Sequence, residues 1–94
     1  MAIVIVNDMQ GADQGVYDEV NPRVMPDGKL PEGCQLHIAS PSDGGWRVIT
    51  VWESEESFQQ FRNEKLIPAI QEVGRGDFIA PRIEANPVHK HLSA

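Results

Sequence analysis

The chain has 94 residues and a formal net charge of −6, with 8 basic and 14 acidic residues. This length predicts one domain over residues 1–94, and the scattered Lys and Arg argue against nucleic acid or an anionic membrane as a partner. Cys34 is the single cysteine, so no disulfide can form within the sequence, and His37, His89 and His91 stand in no metal-binding motif.

The first element is an apolar, β-branched run over residues 2–6, which predicts a strand covered on both faces. Asn7 and Asp8 are expected to end it. The run is far shorter than the roughly 20 residues that span a bilayer, and the N-terminal residues lack the basic region, long apolar core and cleavage site of a signal peptide. These features predict a cytoplasmic location.

A helix is predicted over residues 14–24, with Asp13 as its N-cap. Its apolar face carries Tyr17 and three valines spaced four residues apart, Val16, Val20 and Val24. Pro22 is expected to shorten the helix, to bend it, or to end it near Asn21.

Two strands follow a loop rich in Pro and Gly. The second strand is predicted over residues 34–39, where Leu36 and Ile38 alternate with Gln35 and His37. Residues 40–45 have the composition of a hairpin loop. The third strand covers residues 46–52, and its two faces are both largely apolar.

The second helix is predicted over residues 54–73, with Ser54 as its N-cap, a kink at Pro68 and an end at Gly74. A last strand region extends over residues 78–89. Pro81 and Pro87 indicate that it lies at a sheet edge or is interrupted.

The order strand–helix–strand–strand–helix–strand predicts an α+β, ferredoxin-like fold. In this fold two helices cover one face of a four-stranded antiparallel sheet. Because the first and third strands are apolar on both faces, the uncovered face must also be buried against something. A second copy of the chain is the simplest candidate, which predicts a homodimer.

With these elements placed, the sequence resembles the dimeric α/β-barrel superfamily, and within it the small bacterial proteins related to antibiotic-biosynthesis monooxygenases. The resemblance covers about residues 2–89. It is carried by Ile3-Val4-Ile5-Val6, by Gly44-Gly45-Trp46-Arg47-Val48, by Val51-Trp52-Glu53-Ser54-Glu55-Glu56-Ser57-Phe58, and by Phe61 and Pro68. It implies a dimeric barrel and a small-molecule pocket lined by strand side chains, between the open sheet face and the nearby helices or loops.

Two residues are candidates for catalysis. His37 is the histidine within the predicted core strands, and it can serve as a general base or orient a polar substrate group. A hydrogen-bonded structural histidine is the alternative. Asn7 occupies a position where haem-degrading and quinone-forming members of the superfamily often place an asparagine. Its alternative role is that of a turn residue.

Three further residues are candidates for substrate binding. Trp52 offers a flat apolar wall with one N–H donor, or else packs in the core. Tyr17 can donate a phenolic hydrogen bond into the pocket, or else packs helix against sheet. His89 is expected to reach the pocket mouth only in a dimer. Cys34 has no basic neighbour in sequence, so it is not expected to act as a nucleophile.

Three functions fit the superfamily, which includes cofactor-free oxygenases, haem-degrading enzymes and members without known activity. The first is a cofactor-independent, monooxygenase-like enzyme on a small aromatic or polyketide-like metabolite. The second is a non-catalytic dimer that binds a small ligand or only assembles. The third is haem binding. Haem-degrading members carry an iron-ligating histidine on the second helix, and residues 54–73 contain none. No cofactor and no metal are therefore predicted.

Overall fold

A computed structural model describes residues 1–73 and 82–92. Its strands are β1 (Ile3–Gln10), β2 (Cys34–Ser42), β3 (Gly45–Trp52) and β4 (Arg82–Pro87). Its helices are α1 (Gln14–Val24), α2 (Glu55–Phe61) and α3 (Ile67–Val73). The four strands form one antiparallel sheet in the order β2-β3-β1-β4. This topology confirms the predicted α+β, ferredoxin-like fold.

The first strand is longer than predicted. Asn7 and Asp8 lie inside β1, and the strand continues to Gln10. Both residues have contacts that depend on their place in the strand. Asn7 is buried beneath the helices. The Asp8 carboxylate accepts a hydrogen bond from Nε of Arg47 on β3 at 2.7 Å. The expectation that these two polar residues end the strand is therefore wrong.

The second strand is longer than predicted, and Leu36 and Ile38 alternate with His37 as predicted. It continues through Ser42, and the hairpin turn contains only Asp43 and Gly44, whose φ of 74° requires the freedom of glycine. A bulge between Cys34 and Leu36 adds one residue to the strand. His37 and Cys34 therefore share a face of the sheet.

The helices begin at the predicted caps. The Asp13 carboxylate accepts from the backbone N–H of Val16 at 3.0 Å, and the Ser54 hydroxyl accepts from that of Ser57 at 3.1 Å. Pro22 does not end α1, which continues to Val24. The disruption expected at Pro68 takes the form of a π-helical segment over Arg62–Leu66, between α2 and α3.

Two clusters of buried side chains join the helices to the sheet. One lies between α1, α3 and the far end of β1, and comprises Met9, Ala12, Val16, Val20, Val24, Met25 and Ala69. The other lies between α2 and the part of the sheet where β1 begins and β3 ends, and comprises Ile3, Ile5, Trp52 and Phe58. The candidate site lies where the two clusters meet.

The opposite face of the sheet carries no helix among the described residues. Strand alternation and the register place six apolar side chains there: Val4, Val6, Leu36, Ile38, Ile49 and Val51. We call this set the open face. Ile38 is 49% exposed within it. β4 is an edge strand, as its prolines indicate, whereas the predicted strand residues 78–81 and the helix end at Gly74 lie outside the described residues.

No helix of the described ranges is long and apolar enough to cross a bilayer.

Candidate functional site

An apolar cavity lies between the helix-covered face of the sheet and α1, α2 and the π-helical segment. The cavity has a volume of about 50 Å³. The surrounding space, with the open mouth included, is about 590 Å³. The resemblance implies a pocket between the open sheet face and the nearby helices or loops. In the structure the cavity lies between the helices and the sheet face that they cover, where the register of β2 and the alternation of β1 place the polar candidates.

The structure brings four of the five candidate residues to this cavity. Asn7 comes from β1, Tyr17 from α1, His37 from β2 and Trp52 from β3. Strand pairing accounts for the grouping: His37 lies opposite Thr50 in register, and Trp52 is two residues further along the same face of β3.

A short hydrogen bond joins the two titratable groups of the cavity. The phenolic oxygen of Tyr17 lies 2.6 Å from Nε2 of His37. Burial lowers the pKa of His37. Burial, and to a lesser degree the charge of Asp18, raises the pKa of Tyr17. Both shifts favour the neutral phenol and the neutral imidazole.

The second ring nitrogen of His37 takes no part in this hydrogen bond. Nδ1 of His37 is buried and has no hydrogen-bond partner in the described part of the chain. A neutral imidazole carries one proton, and the phenol is the stronger donor of the two groups. The tautomer in which Tyr17 donates to Nε2 therefore puts the imidazole proton on Nδ1.

Asn7 is only 7% exposed, and its Oδ1 atom is buried without a hydrogen-bond partner among the described residues. An unpaired buried acceptor costs about 1–3 kcal/mol relative to a satisfied one. Packing in the core therefore does not explain this side chain by itself. A ligand or a water molecule that donates to Oδ1 would recover the cost.

Trp52 contributes a wall, and its N–H is already used. The indole Nε1 donates to Oγ1 of Thr50 at 2.9 Å, and both side chains are buried. Its ring packs against those of Phe58 and Phe61 at centroid distances of 5.8 and 5.0 Å. The expected free N–H donor of Trp52 is therefore not available to a ligand.

Two polar residues of this region were missed from the sequence. Thr50 lines the cavity, and its position on the same face as Trp52 follows from strand alternation, so the signal was present. Asn21 also lines the cavity, four residues after Tyr17 on α1. The expected effect of Pro22 hid it, because a helix that ends near Asn21 does not orient that side chain.

Trp46 supports the pair without lining the cavity. Its ring packs on that of Tyr17 at a centroid distance of 5.6 Å and an angle of 35°. Its buried Nε1 has no partner among the residues described. The contact packs the Tyr17 ring against β3, next to the strand that carries His37.

The remaining candidates lie elsewhere. His89 is exposed and lies near Val4 and Val51 on the opposite side of the sheet, so its role at the pocket mouth still depends on a partner subunit. Cys34 donates to the carbonyl oxygen of Leu36 at 3.4 Å, and burial raises the pKa of its thiol. A protonated thiol agrees with the expectation that Cys34 is not a nucleophile.

The cavity lining contains no Asp, Glu, Lys or Arg among the described residues. No cluster of three or more His, Cys, Asp and Glu suited to a metal ion occurs in that part of the chain. Toward the cavity, the second helical region supplies Phe58, Phe61 and Leu66, and it has no histidine from Glu55 to Val73. This helical region therefore offers no histidine that could ligate the iron of a haem.

No family model matches the sequence, and no curated protein matches it either. Solved structures do match. The cofactor-independent oxygenase SnoaB from Streptomyces nogalater is 11% identical over 99% of this chain and 98% of its own, with a TM-score of 0.67. A candidate antibiotic biosynthesis monooxygenase from Deinococcus radiodurans is 15% identical over 100% and 98%, with a TM-score of 0.63.

A third match is the heme-degrading protein Rv3592 from Mycobacterium tuberculosis, 19% identical over 99% of this chain and 100% of its own, with a TM-score of 0.56. The TM-scores establish a shared architecture, whereas identities this low do not establish a shared chemistry. The chain therefore shares the ferredoxin-like α+β fold of these three proteins.

Proposed function

We propose that this protein is a cofactor-independent, monooxygenase-like enzyme that acts by general acid/base chemistry on a small aromatic or polyketide-like metabolite. One observation carries the proposal: the hydrogen-bonded pair of Tyr17 and His37 faces an apolar cavity that also contains the unpaired carbonyl oxygen of Asn7. The fold shared with a cofactor-independent oxygenase supports it.

The chemistry requires a substrate whose carbanion is stabilised by a carbonyl group or an aromatic ring. Removal of a proton from a methylene group leaves a carbanion that transfers electrons to dioxygen, and a peroxide forms on that carbon. The carbon then loses its second proton, the C=O bond forms as the O–O bond breaks, and the departing hydroxide takes up a proton and leaves as water. The methylene becomes a carbonyl that holds one oxygen atom, and the other oxygen atom ends in water. The protein supplies a proton acceptor and excludes water.

The neutral Tyr17–His37 pair suggests a route for the proton. The Tyr17 oxygen takes the substrate proton while its own proton moves to Nε2 of His37. Burial disfavours the imidazolium that results, so His37 readily returns the proton to the peroxide as water forms. In this proposal His37 is the base and acts through Tyr17, whereas the Asn7 amide holds a substrate oxygen.

Oxygen uptake tests the proposal. The wild-type protein, free of added metal or cofactor, is assayed with a panel of quinols and anthrone-like ketones. We expect turnover of at least one compound, and we expect His37→Gln to lower the rate by about 100-fold or more, the usual contribution of a positioned base. Glu56→Gln, an exposed change on α2, is the matched control. Equal rates for wild type and His37→Gln would contradict the base role.

The alternative is a non-catalytic dimer that binds a small ligand. The predominantly apolar lining of the cavity favours it, because a neutral ligand can bind there without any chemical step. Thermal unfolding with the same panel separates the two functions. A ligand-dependent rise in Tm without oxygen uptake would support the binding protein.

We also propose that two copies pair through the open face. Apolar side chains dominate this face, and Ile38 is half exposed there. A domain of this size buries only about 60–65% of the surface of its unfolded chain, so a second copy is a substantial source of stability. The ion pair of Asp8 and Arg47 lies at one end of the same face, where it can fix the register of a two-fold interface.

A further inference from the structure

We infer that Thr50 is a substrate-contacting residue, oriented by Trp52, and that the cavity is built for a neutral ring compound that bears both a carbonyl and a hydroxyl group. The inference rests on the proposed function, since it concerns the same cavity and names its ligand class. It depends on hydrogen-bonding capacity that the protein itself leaves unused.

The first step is the direction of the Thr50 hydroxyl. Its oxygen accepts the indole N–H of Trp52 at 2.9 Å. An indole nitrogen has no lone pair to accept in return, so the Thr50 proton must go elsewhere. No acceptor for it occurs among the described residues, although the side chain is only 7% exposed and lines the cavity. The Thr50 hydroxyl can therefore donate a hydrogen bond to a ligand in the cavity.

The second step is the complementary group on the neighbouring strand. Ile5 pairs with Thr50, and Asn7 pairs with Val48, so Asn7 and Thr50 are diagonal neighbours on one face. Such neighbours are about 7 Å apart. Oδ1 of Asn7 is an unpaired acceptor, and Thr50 supplies an unpaired donor. One ring that carries two oxygens, one accepting and one donating, can satisfy both.

The third step is the charge of the ligand. No ionised side chain lines the described cavity, and Tyr17 and His37 both favour their neutral forms. A carboxylate or phosphate would enter without a counter-charge, which is far more costly than the entry of a neutral ketone. The cavity therefore selects against anions, even though its polar groups accept and donate hydrogen bonds readily.

Calorimetric titration of the full chain tests the inference with four bicyclic probes: tetralin, α-tetralone, a hydroxy-α-tetralone and tetralin carboxylate. Wild-type protein should bind the hydroxyketone most tightly, then the ketone, then tetralin, and should not bind the carboxylate. Thr50→Val keeps the shape and removes the hydroxyl. It should weaken both ketones about tenfold and leave tetralin unchanged, and Thr50→Ser should restore the affinity.

Trp52 is a positioning residue, and a double-mutant cycle identifies that role. Trp52→Phe should weaken the ketones in the wild-type background and have no ketone-specific effect in the Thr50→Val background. A merely structural role of Trp52 would weaken all probes equally in both backgrounds.

Several results would overturn the inference: no binding of any ketone by the wild type, the same ketone-to-tetralin preference in Thr50→Val, or tighter binding of the carboxylate than of the ketone. These results are independent of turnover. Discrimination among the probes without oxygen uptake would sink the enzymatic function and leave this inference standing. Oxygen uptake that is the same in Thr50→Val as in wild type would contradict this inference and leave the enzymatic function standing.

Discussion

The phenolic oxygen of Tyr17 on α1 and Nε2 of His37 on β2 lie 2.6 Å apart, although the two residues are 20 positions apart in the sequence. Their ring centroids are 5.9 Å apart at 31°, and the ring of Trp46 packs on that of Tyr17 at 5.6 Å. This contact joins the helix layer to the sheet by a polar bond inside an apolar region. Removal of either partner leaves the other buried and unpaired.

Replacement of the phenol separates catalysis from packing. Tyr17→Phe keeps the ring on Trp46 and removes the hydroxyl. We expect oxygen uptake to fall about 100-fold, because His37 then loses its contact with the substrate proton, and we expect a destabilisation of only about 1–3 kcal/mol from the unpaired imidazole. Activity close to wild type would show that His37 acts directly, without Tyr17. Gln59→Ala, exposed on α2, is the control.

Stability should depend on pH through His37. Burial lowers its pKa in the folded protein, whereas the unfolded chain titrates near 6.5. Between these two values the unfolded state binds more protons than the folded state, so the contribution of neutral His37 to stability is present above about pH 6.5 and is lost as the pH falls. Urea unfolding from about pH 7 to pH 5 should therefore show a steeper decline for wild type than for His37→Gln. Parallel curves would be contrary to this account.

The cap of α1 offers a stability test outside the cavity. Asp13→Ala removes the acceptor for the Val16 N–H and should destabilise the protein by about 1 kcal/mol in urea unfolding. Asp13→Asn retains a capping oxygen and should stay close to wild type. If both variants lose the same amount, charge at the helix start rather than the hydrogen bond is responsible.

The open face predicts the oligomeric state. Light scattering should give the mass of two chains for wild type and of one chain for Ile38→Glu, because pairing through this apolar face would bury the new charges without counter-charges. Leu30→Glu is the matched control, since Leu30 is 45% exposed in the loop before β2 and lies off the sheet. A wild-type mass of one chain, or dissociation by both variants, would refute the open-face dimer.

Much of the fold is local in origin and was therefore accessible from the sequence. Residues 46–52 alternate as a strand, Asp13 and Ser54 carry the oxygen that a helix start needs, and Pro87 marks an edge strand. Alternation by itself also puts Thr50 and Trp52 on one face of β3, because residues two apart in a strand always share a side. These features depend on backbone geometry over a few residues.

The tertiary structure decided what long-range pairing controls. The bulge between Cys34 and Leu36 sets which side of the sheet His37 occupies, and a shift by one residue moves every side chain to the opposite face. Pairing of β1 with β3 extends β1 through Asn7 and buries that residue beside the cavity. The contact between Tyr17 and His37 has the same origin. Its 20-residue separation gives no periodic signal, because only the packing of α1 on the sheet brings the two side chains together.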